Sequence, residues 1–189
     1  MKKKLNESHY RSELTPYRIN CAKKMTGKVL DVGGGLGSYL PYFSGEATVI
    51  DISEEALEHL DYDKKLVADA KNIPFADNSF DNVWCCAVAQ YFGKEGFEQF
   101  LSEAKRVGKR SGKIMVLVPN GKSIWEPIKR IFGIKTWRDQ DFAQYQFSVK
   151  ELKAYGKVTG EIRFLPFERI FRKIPCLGNT LMLEVVIHK

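Results

Sequence analysis

The sequence predicts an α/β fold, a mostly parallel sheet with helices on both faces and an antiparallel last strand. Three observations carry this. Short apolar runs alternate with helical stretches from residue 28 to residue 120, the pattern of strands joined by crossover helices. A glycine-rich turn, GGGLG at 33 to 37, follows the first run directly. Two final apolar runs, 157 to 167 and 179 to 189, are separated only by a loop, so they pair antiparallel. At 189 residues and 44% hydrophobic content, the chain is read as one domain spanning residues 1–189 with a core of its own.

The elements follow in order. Residues 1–26 form a helical lead-in. KVLDV (28 to 32) is a buried strand. LGSYLPYF (36 to 43) is expected to begin a helix that Pro41 bends or shortens. ATVIDI (47 to 52) is the second strand, and SEEALEHL (53 to 60) a helix capped by Ser53, with acidic residues in its first turn. KLVADA (65 to 70) is the third strand and FDNVWCC opens the fourth at Phe80. KEGFEQFLSEAKRVG (94 to 108) is amphipathic, with Phe97, Phe100, Leu101, Ala104 and Val107 on one stripe. GKIMVLVPN (112 to 120) is the fifth strand. Residues 121–147 lack a strand pattern and are read as an insertion on the substrate side, before a short helix at 148 to 156 capped by Ser148.

Composition excludes several classes. No apolar run approaches the roughly 20 residues of a membrane span. MKKKLNESHYRSEL carries lysines with no apolar stretch behind them, so no signal peptide is read and a cytoplasmic setting is expected. The four cysteines form no CxxC pair and no histidine stands at ligand spacing, so no metal is expected. Net charge is +7, but the lysines and arginines are spread along the chain. That favours a solvated surface over a nucleic-acid groove, which stays open as a lesser alternative.

The turn at 33 to 37 carries the chemistry. Glycines lacking Cβ let backbone approach a ligand at the carboxyl edge of the sheet, where open α/β sheets bind. A dinucleotide fingerprint, GxGxxG, would need a glycine where Ser38 stands. What stands there is DxGxGxG: Asp31, Gly33, Gly35 and Gly37, with Gly34 between. A carboxylate at the strand end repels a pyrophosphate and suits a cationic ligand. S-adenosylmethionine (SAM), with its ammonium and sulfonium, is such a ligand. Asp51 closes the second strand 18 residues after Gly33, where an acidic side chain takes ribose hydroxyls. Asp69 closes the third, where a carboxylate can accept from an adenine amino group, with Ala70 and Ile73 beside it.

From Val29 to Pro119 the chain resembles the class I SAM-dependent methyltransferases, in particular the small ones of the ubiquinone/menaquinone-biosynthesis type. The matching blocks are VLDVGGGLG, VIDIS, DAKNIPFADNSFDNVWC and EAKRVGKRSGKIMVLVPN. The resemblance implies a Rossmann-like three-layer sandwich whose seven-stranded sheet has a reversed last strand. It implies that Asp31 and the glycine turn, Gly33, Gly34, Gly35 and Gly37, face the methionine part, Asp51 the ribose and Asp69 the adenine, with Ile52, Ala70 and Cys86 as further cofactor-side residues and S-adenosylhomocysteine (SAH) as product. Two blocks depart from the family: KRSGK replaces Lys-Pro-Gly-Gly before the fifth strand, and AVAQYF replaces a histidine-rich stretch after the fourth. No catalytic base is assigned.

The expected reaction is methyl transfer to an apolar or aromatic small molecule. Candidate acceptor-side residues are Tyr10, Tyr91, Trp125 and Tyr145, among the aromatics of the lead-in and the 121–147 insertion. The alternatives are an RNA or protein methyltransferase, and a SAM-binding partner subunit without catalysis.

Overall fold

The structure is a computed structural model that describes residues 14–121, 123, 131, 145–161 and 180–188. Its elements in chain order are α1 (Pro16–Ala22), β1 (Thr26–Val32), β2 (Ser44–Asp51), α2 (Glu54–Glu58), β3 (Lys65–Val67), β4 (Phe80–Cys86), α3 (Gly93–Val107), β5 (Gly108–Pro119), α4 (Val149–Lys153), β6 (Lys157–Glu161) and β7 (Thr180–Val186). The sheet has seven strands in the order β3-β2-β1-β4-β5-β7-β6. β1 pairs parallel with β2 and β4, β2 with β3, and β4 with β5. β7 runs antiparallel between β5 and β6. The order reverses at β1, so the crevice between the carboxyl ends of β1 and β4 is the place where such a sheet takes a ligand.

Alternation along the strands divides the core into two layers. Leu30, Val32, Ile50, Val83, Cys85, Ile114 and Val116 pack on one face, against Phe97, Phe100, Leu101, Ala104 and Val107 of α3. Val29, Ala47, Trp84, Met115, Leu117 and Met182 pack on the other, against Tyr17, Cys21 and Ala22 of α1. There Leu57 and Leu60 cover Val49. Burying each large apolar side chain contributes about 1.5–3 kcal/mol relative to leaving it in water. The α3 stripe is the one its periodicity predicts. Ser53 caps α2, accepting from the Ala56 N–H at 3.2 Å. Ser148 and Glu151 close a capping box on α4, the Ser148 N–H donating to Glu151 Oε2 at 2.9 Å.

Two local expectations need correction. The helix expected over 36 to 43 is a series of turns ending in a single 3-10 turn, Leu40–Tyr42. Gly37 stands at φ +70°, which interrupts a right-handed helix, and Pro41 removes a donor. β3 stops at Val67 instead of running to 70. Asp69 Oδ1 accepts from the Lys71 N–H at 2.9 Å, and such a local side-chain turn competes with the strand ladder. The last two strands are antiparallel as read, though of 157–167 only Lys157–Glu161 lies within the described residues.

Candidate functional site: the carboxyl edge of β1, β2 and β4

β1 ends in Asp31-Val32 and hands the chain to the glycine turn. The Gly33 N–H donates to Ile50 O at 2.7 Å and the Gly37 N–H to Gly34 O at 2.8 Å. Gly33, Gly35 and Gly37 all have positive φ, 67°, 50° and 70°, a region that costs any residue with a Cβ. Space is equally restrictive at Gly33, where a Cβ would come within 2.4 Å of Val88 Cγ2. The valine after β4 therefore packs against the turn after β1, which locks the two loops of the crevice together.

Asp31 is 2% exposed. Its Oδ2 is buried and has no hydrogen-bond partner, and a Cβ at Gly34 would come within 2.8 Å of it. Burial, and secondarily the Asp51 charge, push the Asp31 carboxyl up to about 7. A buried, unpartnered carboxylate oxygen costs free energy unless a cation or donor meets it.

Asp51 ends β2, half-buried. Its Oδ2 accepts from the Gly35 N–H and its Oδ1 from the Ser53 N–H, both at 2.9 Å. Each oxygen keeps a second acceptor site. The same carboxylate thus ties the glycine turn to the start of α2, a tie that the sequence spacing alone does not reveal. Ile52 beside it is 73% exposed, so a large apolar side chain stands open at the sheet edge. Asp69 is half-buried two residues past β3, with Lys71 Nζ 3.4 Å from its Oδ2. Ala70 and Ile73 are buried in the α3-side core. Ile73, at 2% exposure, is a core residue and not a surface for adenine.

Cys86 closes β4 with its Sγ 3.3 Å from the Tyr39 hydroxyl and 3.9 Å from Arg18 Nη1. Arg18 is 4% exposed and its Nη2 donates to Thr180 Oγ1 at 3.1 Å. Burial, followed by the Cys86 charge, raises the Tyr39 hydroxyl pKa above its ordinary value. This buried polar group joins α1 to the ends of β4 and β7. Arg18 stands beside Tyr17 in the lead-in, but nothing in the sequence marks it as buried.

Of the residues expected on the acceptor side, Tyr91 is 46% exposed in the 3-10 turn Ala89–Tyr91. Tyr145 is packed on Phe147, ring centroids 4.8 Å apart, and its hydroxyl donates to Glu151 Oε1 at 2.6 Å. That ties Tyr145 into the cover of the core. Tyr10 and Trp125 lie outside the described residues, as does most of 121–147. The two ends of that insertion are joined by the Gly121 N–H donating to Phe147 O at 2.9 Å.

Residues 30–116 match the methyltransferase domain family. The chain is 30% identical, over 158 residues, to the ubiquinone/menaquinone biosynthesis C-methyltransferase UbiE of Burkholderia mallei, with 74% of this chain and 61% of that protein covered. The homologue of Burkholderia thailandensis matches equally. The chain thus spans about three fifths of the length of these curated relatives. Among solved structures, the methyltransferase in complex with the Haloferax volcanii Trm112 activator superposes with TM-score 0.70 at 17% identity, covering 97% of this chain and 93% of that one. A SAM-dependent methyltransferase from Archaeoglobus fulgidus gives 0.68 at 17% identity, covering 96% and 94%.

The residues present fit SAM. A cationic methionine end satisfies the orphaned Asp31 oxygen, the turn offers backbone without side chains, and Asp51 has acceptor capacity for ribose. Residues 30–116 thus match the methyltransferase domain family, and the described sheet has the Rossmann-like fold of the solved Archaeoglobus fulgidus methyltransferase.

Proposed function

We propose that the protein transfers a methyl group from SAM to a small apolar or aromatic acceptor. The observation that carries this is the buried, unpartnered Asp31 oxygen beside the glycine turn. A pyrophosphate placed there would meet a carboxylate, whereas an ammonium or sulfonium completes it. The similarity to quinone-biosynthesis C-methyltransferases supports an aromatic acceptor methylated at carbon.

When bound, SAM supplies an activated methyl group on a positively charged sulfur. Asp31 holds the cationic end, and the glycine turn presents bare backbone to the methionine part. Asp51 takes the ribose hydroxyls while keeping the turn closed through Gly35. Ile52 offers an apolar face beside the ribose, Asp69 and Ala70 bound the adenine side, and Cys86 lines the crevice from the end of β4. With the leaving group already activated, the chain's contribution is alignment and exclusion of water. The lead-in and the 121–147 insertion, with Tyr10, Tyr91, Trp125 and Tyr145, cover the acceptor.

The test is SAH formation from SAM with a panel of hydroquinones, phenols, amines and a bulk RNA. Turnover only with the aromatic hydroxyl compounds is expected. Turnover only with RNA would contradict this reading and point to an RNA methyltransferase.

A further inference from the structure

Between β3 and β4 the chain runs from Ala68 to Ser79 without helix or strand. Its first residues include Asp69 and Ala70. Such a segment has no ladder to fix its backbone, so its polar groups need other partners. Here α3 supplies them. Glu103 Oε2 accepts from the Ile73 N–H at 2.8 Å. Arg106 Nη2 donates to Ile73 O and its Nη1 to Phe75 O, both at 2.8 Å. Nη1 also donates to Asp77 Oδ1 at 2.9 Å. The two α3 side chains are locked to each other as a fork, Nε to Oε1 and Nη2 to Oε2, both at 2.9 Å. All five N–H donors of a guanidinium are then engaged.

The charges alone do not account for this arrangement. The Arg106 side chain is 34% exposed and that of Asp77 66%, and ion pairs so exposed contribute little stability. A lysine would carry the same charge; the guanidinium adds a planar fork that holds several acceptors in one geometry. That geometry fixes the backbone three residues past Ala70. Nearer its start, α3 meets the same segment again. A Cβ at Gly96 would come within 3.3 Å of Lys71 Cδ, and Lys71 Nζ stands 3.4 Å from Asp69 Oδ2. Asp69 is therefore framed from α3 on two sides, through Lys71 and through Ile73.

We propose that Glu103 and Arg106 are positioning residues for base selectivity: by holding the segment after β3, they place the Asp69 carboxylate to take a 6-amino purine and turn away a 6-oxo purine. The inference rests on the methyl-transfer reading, in which Asp69 bounds the adenine side. Glu103 and Arg106 act through the backbone and not on the base. A carboxylate accepts and does not donate, so an amino group bonds to it and a carbonyl oxygen is repelled. Both effects weaken steeply with distance and angle. Loosening the fork therefore lowers the selectivity and not only the affinity.

The experiment titrates SAH and its 6-oxo analogue, S-inosylhomocysteine, by calorimetry into the wild type and three variants. The wild type should bind SAH at least about tenfold tighter than the analogue, which sets an oxygen against the carboxylate. Arg106→Lys keeps the charge and loses the fork. Glu103→Gln keeps the shape and loses the charge. Each should cut the affinity ratio at least about fivefold. Leu101→Val alters the buried stripe of α3, where Leu101 is 3% exposed, and leaves the fork intact. It should lower the thermal midpoint and keep the wild-type ratio. A wild-type ratio in either folded fork variant, an equal loss of ratio in Leu101→Val, or no preference in the wild type would each overturn the assignment. If Arg106→Lys does not fold, Glu103→Gln decides alone. Failure of the wild type to bind SAH would instead strike the methyl-transfer reading beneath it.

Discussion

On the proposed function, Asp31 couples cofactor binding to pH. Its carboxyl is raised to about 7, first by burial and then by Asp51, so the ligand-free fold holds a proton that the unfolded chain releases near pH 4. The sign follows. This residue's contribution to stability is greatest below about pH 4, declines as pH rises toward 7, and is flat above. A cationic ligand favours the carboxylate, so binding below pH 7 must expel the proton. SAH affinity should then fall by up to about tenfold per pH unit below 7, and calorimetry in buffers of different ionisation enthalpy should record the released proton. Asp31→Asn should bind weakly with no such slope. At Asp51 the carboxylate ties down Gly35 and, on the proposed function, also accepts from the ribose hydroxyls. Asp51→Ala should therefore lose roughly 1–3 kcal/mol of SAH affinity and also lower the thermal midpoint without ligand. Wild-type affinity in that variant would remove Asp51 from the site.

At the scale of elements, α3 is the most securely specified. Its stripe is periodic in sequence, and Phe97, Phe100 and Ala104 are each 1% exposed or less. Phe100→Ala should cost about 3–5 kcal/mol by the cavity it leaves, read as a shift in denaturant midpoint. Ser148→Ala should cost only about 1 kcal/mol, the value of one cap. The strands β1, β2, β4 and β5 were legible because buried parallel strands are written as apolar runs. The stretch after β1 was not. LGSYLPYF has helical spacing, but Gly37 at positive φ decides against a helix, and a glycine's φ is set by what packs round it. Likewise the third strand looked longer than it is because Asp69 forms a side-chain turn that an apolar count does not weigh.

At the scale of the molecule, the sheet order and the reversed β7 put Asp31, Asp51 and Cys86 on one edge. Aspartates closing successive strands made that edge legible in the sequence. What the sequence left hidden depends on contacts across the crevice: Val88 on Gly33, and Arg18 with Thr180 and Cys86. Each joins residues more than 50 positions apart and leaves no local pattern. Among the described residues, no helix is long and apolar enough to cross a membrane. Proteolysis or hydrogen exchange should show the turn at 33 to 37 and the run 87 to 90 gaining protection together when SAH binds, since Val88 and Gly33 pack as one unit. The central claim is that this edge is built for a cationic nucleoside and not for a dinucleotide. The most direct measurement is paired calorimetric titration of the wild-type protein with SAH and with NAD at pH 8. Micromolar-range binding of SAH with no heat from NAD is the predicted result; binding of NAD without binding of SAH would contradict the account.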